Sequence, residues 1–154
     1  MAKTVQKLVK LLTLFSFGGM LYGLIELAWR GYTHISMFVV GGICFVLIGA
    51  LDEMSPEPPP VAVQLPMAAL IVTAVELASG VVINLVMRLD VWNYSDLPFN
   101  IMGQICLYFA FLWLLLAFPA IIIEDSLRVM LFNEKPKTLR FLPRKRIKKK
   151  EALS

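Results

Sequence analysis

Ala69-Leu70-Ile71-Val72-Thr73-Ala74-Val75-Glu76-Leu77-Ala78-Ser79-Gly80 places an acid inside a stretch otherwise apolar enough to cross a membrane. A counterpart lies fifty positions earlier. Gly19 and Gly23 precede Glu26 at the same offsets at which Ala69 and Thr73 precede Glu76, and each glutamate is followed by Leu-Ala. A charged side chain at the centre of a bilayer costs about 2.5–3.5 kcal/mol on insertion scales. Two such carboxylates in matching small-residue settings point to a duplicated membrane unit with a polar centre. With a helix opening near Pro66, Glu76 lies ~15 Å along it, close to the midplane of a ~30 Å hydrocarbon core.

The rest of the chain agrees with a membrane reading. Its 154 residues are 58% hydrophobic and 17% charged, with a mean hydropathy of +0.74, where soluble domains carry about 25% charge. Four apolar runs, about 12–32, 35–51, 66–87 and 101–123, reach or approach the ~17–25 residues of a spanning helix. The expected fold is an all-α membrane protein, with four transmembrane helices arranged as two parallel-repeat helical hairpins. Residues 1–11 read as an amphipathic interfacial lead-in, 12–123 as the transmembrane domain and 124–154 as a basic tail. The first run has no small-residue cleavage site after it and reads as a retained helix, not a signal peptide. Ten of the fifteen lysines and arginines fall from Arg128 onward and three precede the first run, which predicts cytoplasmic termini and a multi-pass protein of the plasma membrane.

Residues spaced i, i+4, i+7 and i+11 share a helix face, so Gly19, Gly23, Glu26 and Arg30 form one stripe facing the bundle. Gly19 and Gly23 have the G-x-x-x-G spacing of close helix approach, which suggests a homo-oligomer or a larger membrane complex. Ala69, Thr73, Glu76 and Gly80 repeat the stripe, and Asn84 extends it. Glu26 has Arg30 at ion-pair spacing; Glu76 has Gly80 there and no local partner. A second echo, Gly41-Gly42-Ile43-Cys44 against Gly103-Gln104-Ile105-Cys106, implies a twelve-residue insertion at Arg88–Asn100. In that loop Trp92, Tyr94 and Phe99 suit an interfacial belt, and Asp90, Asp96 and Asn100 suit the mouth of a cavity leading to Glu76. The candidate substrate or ion pathway is therefore Glu26, Glu76, Asn84, Asp96, Asn100 and Gln104. Gly19, Gly23, Thr73 and Gly80 are the helix-packing positions.

Arg144, Lys145, Arg146, Lys148, Lys149 and Lys150 form a basic cluster suited to anionic lipid headgroups, each worth ~1 kcal/mol near a charged leaflet; a membrane-tethered tail makes lipid a simpler partner than nucleic acid. Cys44 and Cys106 read as free apolar thiols. Phosphate-binding loop, zinc-protease and nucleophile-elbow motifs are absent, so the reading includes no catalytic residue, no metal and no cofactor.

Tyr22-Gly23 with Glu26 and Arg30-Gly31, then Glu76 with Gly80, Trp92-x-Tyr94-Ser95-x-x-Pro98-Phe99-Asn100-x-x-Gly103-x-Ile105-Cys106 and Trp113, resemble the CmpB family of ABC-transporter type IV membrane proteins over about residues 15–115. Gly42-Ile43-Cys44-Phe45 departs from that family's proline-containing string. The resemblance implies a small multispanning permease component without an assigned substrate. Its expected role is transport-related, with a polar centre at Glu26 and Glu76. The alternative is a non-transporting membrane scaffold or regulatory subunit. The short, acidic, proline-rich loop at Asp52–Leu65 is a poor docking site for an ATPase.

Overall fold

A computed structural model describes residues 2–53, 58–137 and 139–141. Helix α1 spans Ala2–Arg30, α2 Ile35–Glu53, α3 Val61–Gly80 and α4 Leu107–Phe132. Between α3 and α4 the chain makes a π-helical segment, Val81–Val86, then an irregular loop and two short antiparallel strands, β1 (Asn100–Ile101) and β2 (Ile105–Cys106). Lys3–Arg30, Val61–Val86 and Leu107–Phe132 are long and apolar enough to cross a membrane; the apolar part of α2, Ile35–Leu51, is shorter. Large apolar side chains stay exposed at mid-helix, Leu70 at 69% and Leu115 at 71%, as expected of surfaces that face lipid.

Several boundaries differ from the sequence expectation. Residues 2–11 are the start of α1 itself, since neither proline nor glycine interrupts the chain before Gly18. Helix α3 starts at Val61, one turn before Pro66, because Pro60 is its extended N-cap residue and prolines before a helix stop it from extending backward. The first-turn amides of α3 are met from outside the helix: the Val61 N–H donates to the Arg140 carbonyl at 2.7 Å. The fourth helix starts at Leu107, not at residue 101. Phe99, Met102 and Gly103 have positive φ, so the apolar stretch 101–106 turns as a strand pair instead of winding into helix.

This also separates the two cysteine echoes. Cys44 lies within α2, whereas Cys106 is the extended N-cap residue of α4. The matching strings occupy different structures and do not form a structural repeat.

Helices α1 and α2 meet through glycines. A Cβ on Gly18 would run into Phe45 and the Gly41 carbonyl, one on Gly41 into Tyr22, and one on Gly19 into Phe38. Gly19 is thus consumed inside the first hairpin. A Cβ on Gly23 would meet, among the described residues, Thr33 at 3.9 Å, and Gly19 and Gly23 both line one apolar groove beside Phe38. The buried core runs between the helices through Met37, Val40, Cys44, Ala68, Val72 and Ala117. Lys10 bonds Glu53 at 2.7 Å and Glu134 at 2.8 Å. The start of α1, the end of α2 and the end of α4 therefore share one end of the bundle, and the connections at residues 31–34 and 87–99 lie at the other.

Candidate functional site: a buried carboxylate beneath an aromatic cavity

Glu76 sits on the inner face of α3 with 1% of its surface exposed. Its two oxygens take hydrogen bonds from two other helices. The Tyr22 hydroxyl of α1 donates to Oε1 at 2.9 Å, and the Trp113 indole N–H of α4 donates to Oε2 at 2.7 Å. The two rings stack at 5.4 Å between centroids. Among the described residues no cationic side chain pairs with Glu76. A buried carboxylate held only by neutral donors retains its charge problem, which makes it the most distinctive polar group of the core.

Tyr22 and Trp113 also line a cavity of about 640 Å³ at the loop end, between α1, α4 and the loop. Glu26 and Arg30 line it from α1, Asp90 and Asn93 from the loop, and Tyr108 and Phe109 from α4. Glu26 is already answered: Arg30 donates to Oε1 and Thr33 to Oε2, both at 2.6 Å. Arg30 also donates to the Val91 carbonyl at 2.8 Å and stands 4.6 Å over the Tyr32 ring. The i,i+4 spacing found this pair, and Arg30 ties it to the loop. The two glutamates are consequently unlike. Glu26 forms an ion pair at the cavity wall, and Glu76 is a buried acid below the cavity floor.

The other expected pathway residues brace the loop. Asn84 is turned inward by the π-helical segment; π turns often re-aim a residue at a special site. Its Oδ1 accepts the Val91 N–H at 2.7 Å, and its Nδ2 donates to the Trp92 carbonyl at 3.0 Å and to Gln104 Oε1 at 2.8 Å. Gln104 fits against α3 because Gly80 has no Cβ; one there would lie 2.6 Å from Gln104 Oε1. The Trp92 indole donates to the Gln104 carbonyl at 3.0 Å. Asn100 spends its amide on the Ser95 and Leu97 carbonyls, and Asp96 is exposed on the same turn. Of the three residues expected at the mouth, Asp90 lines the cavity; Asp96 and Asn100 are not among its lining residues. Thr73 bonds back to the Ala69 carbonyl within α3. The basic cluster from Arg144 to Lys150 lies outside the described residues.

The family model described as "Putative ABC-transporter type IV" matches residues 11–142. The chain belongs to this family. Together with the apolar helices, membership makes it a multi-pass integral membrane protein of a transport-related family. Among curated proteins and among solved structures none matches the chain. The matched stretch contains the loop braced by Trp92 and Gln104, the N-cap residue of α4 and both donors to Glu76, Tyr22 and Trp113.

One polar cluster escaped sequence reading. At the opposite end of the bundle Arg128 of α4 is buried and bonds both Glu124, one turn earlier, and Glu53 of α2. Gly49 of α2 makes the room, since a Cβ there would overlap the Glu124 carboxylate and stand 2.8 Å from Arg128 Nη2. Lys10 joins the cluster through Glu53 and Glu134. Burial would raise the Glu53 carboxyl, but hydrogen bonds from Lys10 and Arg128 outweigh it and hold the group at about 2. The signal was available: Glu124 and Arg128 have the same i,i+4 spacing as Glu26 and Arg30.

Proposed function

We propose that this family member is a permease-like transport component in which Glu76 is the polar centre, taking up a proton or a small cation, or pairing with a cationic group of a substrate that enters the loop-end cavity. The observation that supports this reading is the pairing of Glu76 with Tyr22 and Trp113, which also line that cavity. A carboxylate at this depth is costly, and its two neutral donors leave its charge uncancelled. Glu26 and Arg30 fix the cavity wall and the loop. The lysine and arginine distribution supports cytoplasmic termini, with the cavity opening outward in the plasma membrane. It also supports anionic lipid contact by Arg144–Lys150. The protein works as a homo-oligomer or in a larger membrane complex, because four helices enclose little volume. No enzymatic activity is part of this proposal.

Potential-driven proton uptake by proteoliposomes containing a pH-sensitive dye tests the role of Glu76. Wild-type protein acidifies the lumen, and Glu76→Gln inserts and folds without doing so. Equal uptake by the two proteins removes Glu76 from transport.

The second reading, a non-transporting scaffold or regulatory subunit, is favoured by one observation: both Glu76 oxygens are occupied by bonds that join three helices. On that reading Glu76→Ala lowers the stability of the complex in detergent, and neither it nor the wild type supports flux.

A further inference from the structure

We infer that the ion network centred on Glu53 is the latch of a gate at the end of the bundle opposite the loop-end cavity. When the latch parts, the half of α4 beyond Pro119 leaves α2, and the apolar space below Glu76 opens to water at that end. The inference rests on the reading of Glu76 as a transport centre and names what controls its second access route.

Tyr22 and Trp113, the two donors to Glu76, border open space on both sides. Above them is the loop-end cavity. Below, both also line an apolar space of about 180 Å³, with Cys44, Ile48, Pro119 and Ile123 in its walls. Ile48 and Ile123 directly precede Gly49 and Glu124 in sequence, so the lower space ends where the network begins. Along α4 the order is Trp113 at Glu76, Pro119 beside the lower space, and Glu124 with Arg128 in the network. From Trp113 to Glu124 this covers about 16 Å of helix.

The ion pairs of the network differ in what they join. Glu124 and Arg128 are both on α4 and both buried, so this pair moves with its helix as a neutral unit. The ties to the other helices lie outside it. Arg128 donates to Glu53 of α2, and Lys10 of α1 bonds Glu53 at 2.7 Å and Glu134 at 2.8 Å. The two outer carboxylates are partly exposed, Glu53 at 48% and Glu134 at 35%, and ion pairs open to water hold weakly. The inner pair therefore plugs this end, and the outer pairs decide whether the plug stays.

The moving part is specified as well. Helices α1 and α2 are seated on each other through Gly18, Gly19 and Gly41, which leaves α4 as the element that parts from them. Pro119 lies inside α4. Without an N–H it leaves the Leu115 carbonyl outside the helical ladder, and a helix bends at such a point. A network that only staples the fold needs neither the proline nor the space beside it.

The two native cysteines report on the two ends. Cys44 is buried in the wall of the lower space, and Cys106 is buried at the loop end of α4. Full-length protein in nanodiscs is treated with a charged methanethiosulfonate, and the labelling rate of each cysteine is read by peptide mass spectrometry. Glu53→Gln cuts the ties to Lys10 and Arg128 but leaves Arg128 paired with Glu124. It is expected to speed labelling of Cys44 about tenfold and to leave Cys106 unchanged. Lys10→Gln keeps the contact between Glu53 and Arg128 and gives a smaller rise at Cys44. Adding Pro119→Ala to Glu53→Gln restores the wild-type rate. The inference is overturned if Cys44 keeps its wild-type rate in both single variants, speeds up together with Cys106, or speeds up equally with and without Pro119. The readout needs no flux. Absent acceleration with Glu76-dependent flux intact discards the latch alone, and Pro119-dependent acceleration with flux unchanged in Glu76→Gln discards the transport role of Glu76 alone.

Discussion

Trp113 of α4 donates its indole N–H to the Glu76 carboxylate of α3 at 2.7 Å, across an interface buried from lipid and water. An indole can only donate, so this contact requires an acceptor at position 76. Tyr22 is more adaptable, because its hydroxyl can donate or accept. Glutamine therefore preserves both contacts, its carbonyl oxygen facing Trp113 and its amide facing the Tyr22 oxygen. Alanine leaves two buried donors unmet, at about 1–3 kcal/mol each. Thermal unfolding in detergent is expected to show Glu76→Gln close to wild type and Glu76→Ala clearly lower.

Gly49 predicts a second effect. Any side chain there displaces the Glu124 carboxylate and strands Arg128 in a buried site. Breaking a buried ion pair costs about 3–5 kcal/mol, so Gly49→Val is expected to be strongly destabilised in a denaturant titration. Combining it with Glu124→Ala opens the space again. The double variant is then less destabilised than the sum of the single ones, as for groups in direct contact. Additive losses would mean that Gly49 and Glu124 do not share this site.

The Glu53 carboxyl sets a pH dependence. It is held at about 2, below its ordinary 4.5, so folding favours its charged form. That stabilisation is present above about 4.5 and is lost as the pH falls toward 2. Its side chain is 48% exposed, so solvent screening keeps the effect modest. The melting temperature is expected to fall through this window, and less steeply in Glu53→Gln.

Asn84 holds the loop through three bonds to Val91, Trp92 and Gln104. Asn84→Ala is expected to raise hydrogen exchange of the loop amides around Val91 while α1 and α2 stay protected. Exchange unchanged at Val91 would show that the loop is held by other contacts.

Much of this fold is legible in the sequence because apolar run length alone marks a helix in a membrane. The Glu26–Arg30 pair is legible too, since it is local. The partners of Glu76 are not, because Tyr22 and Trp113 stand 54 and 37 positions away and no periodicity specifies which helices meet. The start of α4 is misplaced for another reason. Ile101–Cys106 is apolar enough to read as helix, and only the backbone turn at Met102 and Gly103 reveals a strand pair. Asn84 and Gln104, expected along a pathway, are loop braces, because polar side chains near a membrane surface serve either purpose and spacing does not separate them. The Glu124–Arg128 pair carries a local signal, but with the fourth span ending at residue 123 its burial against Gly49 could not be anticipated.

The central claim is that Glu76 exchanges a proton or cation and does more than brace three helices. Infrared difference spectroscopy of the reconstituted protein tests it most directly, stepping from about pH 5 to about pH 9, a range in which buried carboxyls titrate, and then adding monovalent cation. The account predicts a change in a carboxyl band that is present in wild type and missing in Glu76→Gln. A Glu76 band that stays fixed across the pH step and on cation addition would contradict it.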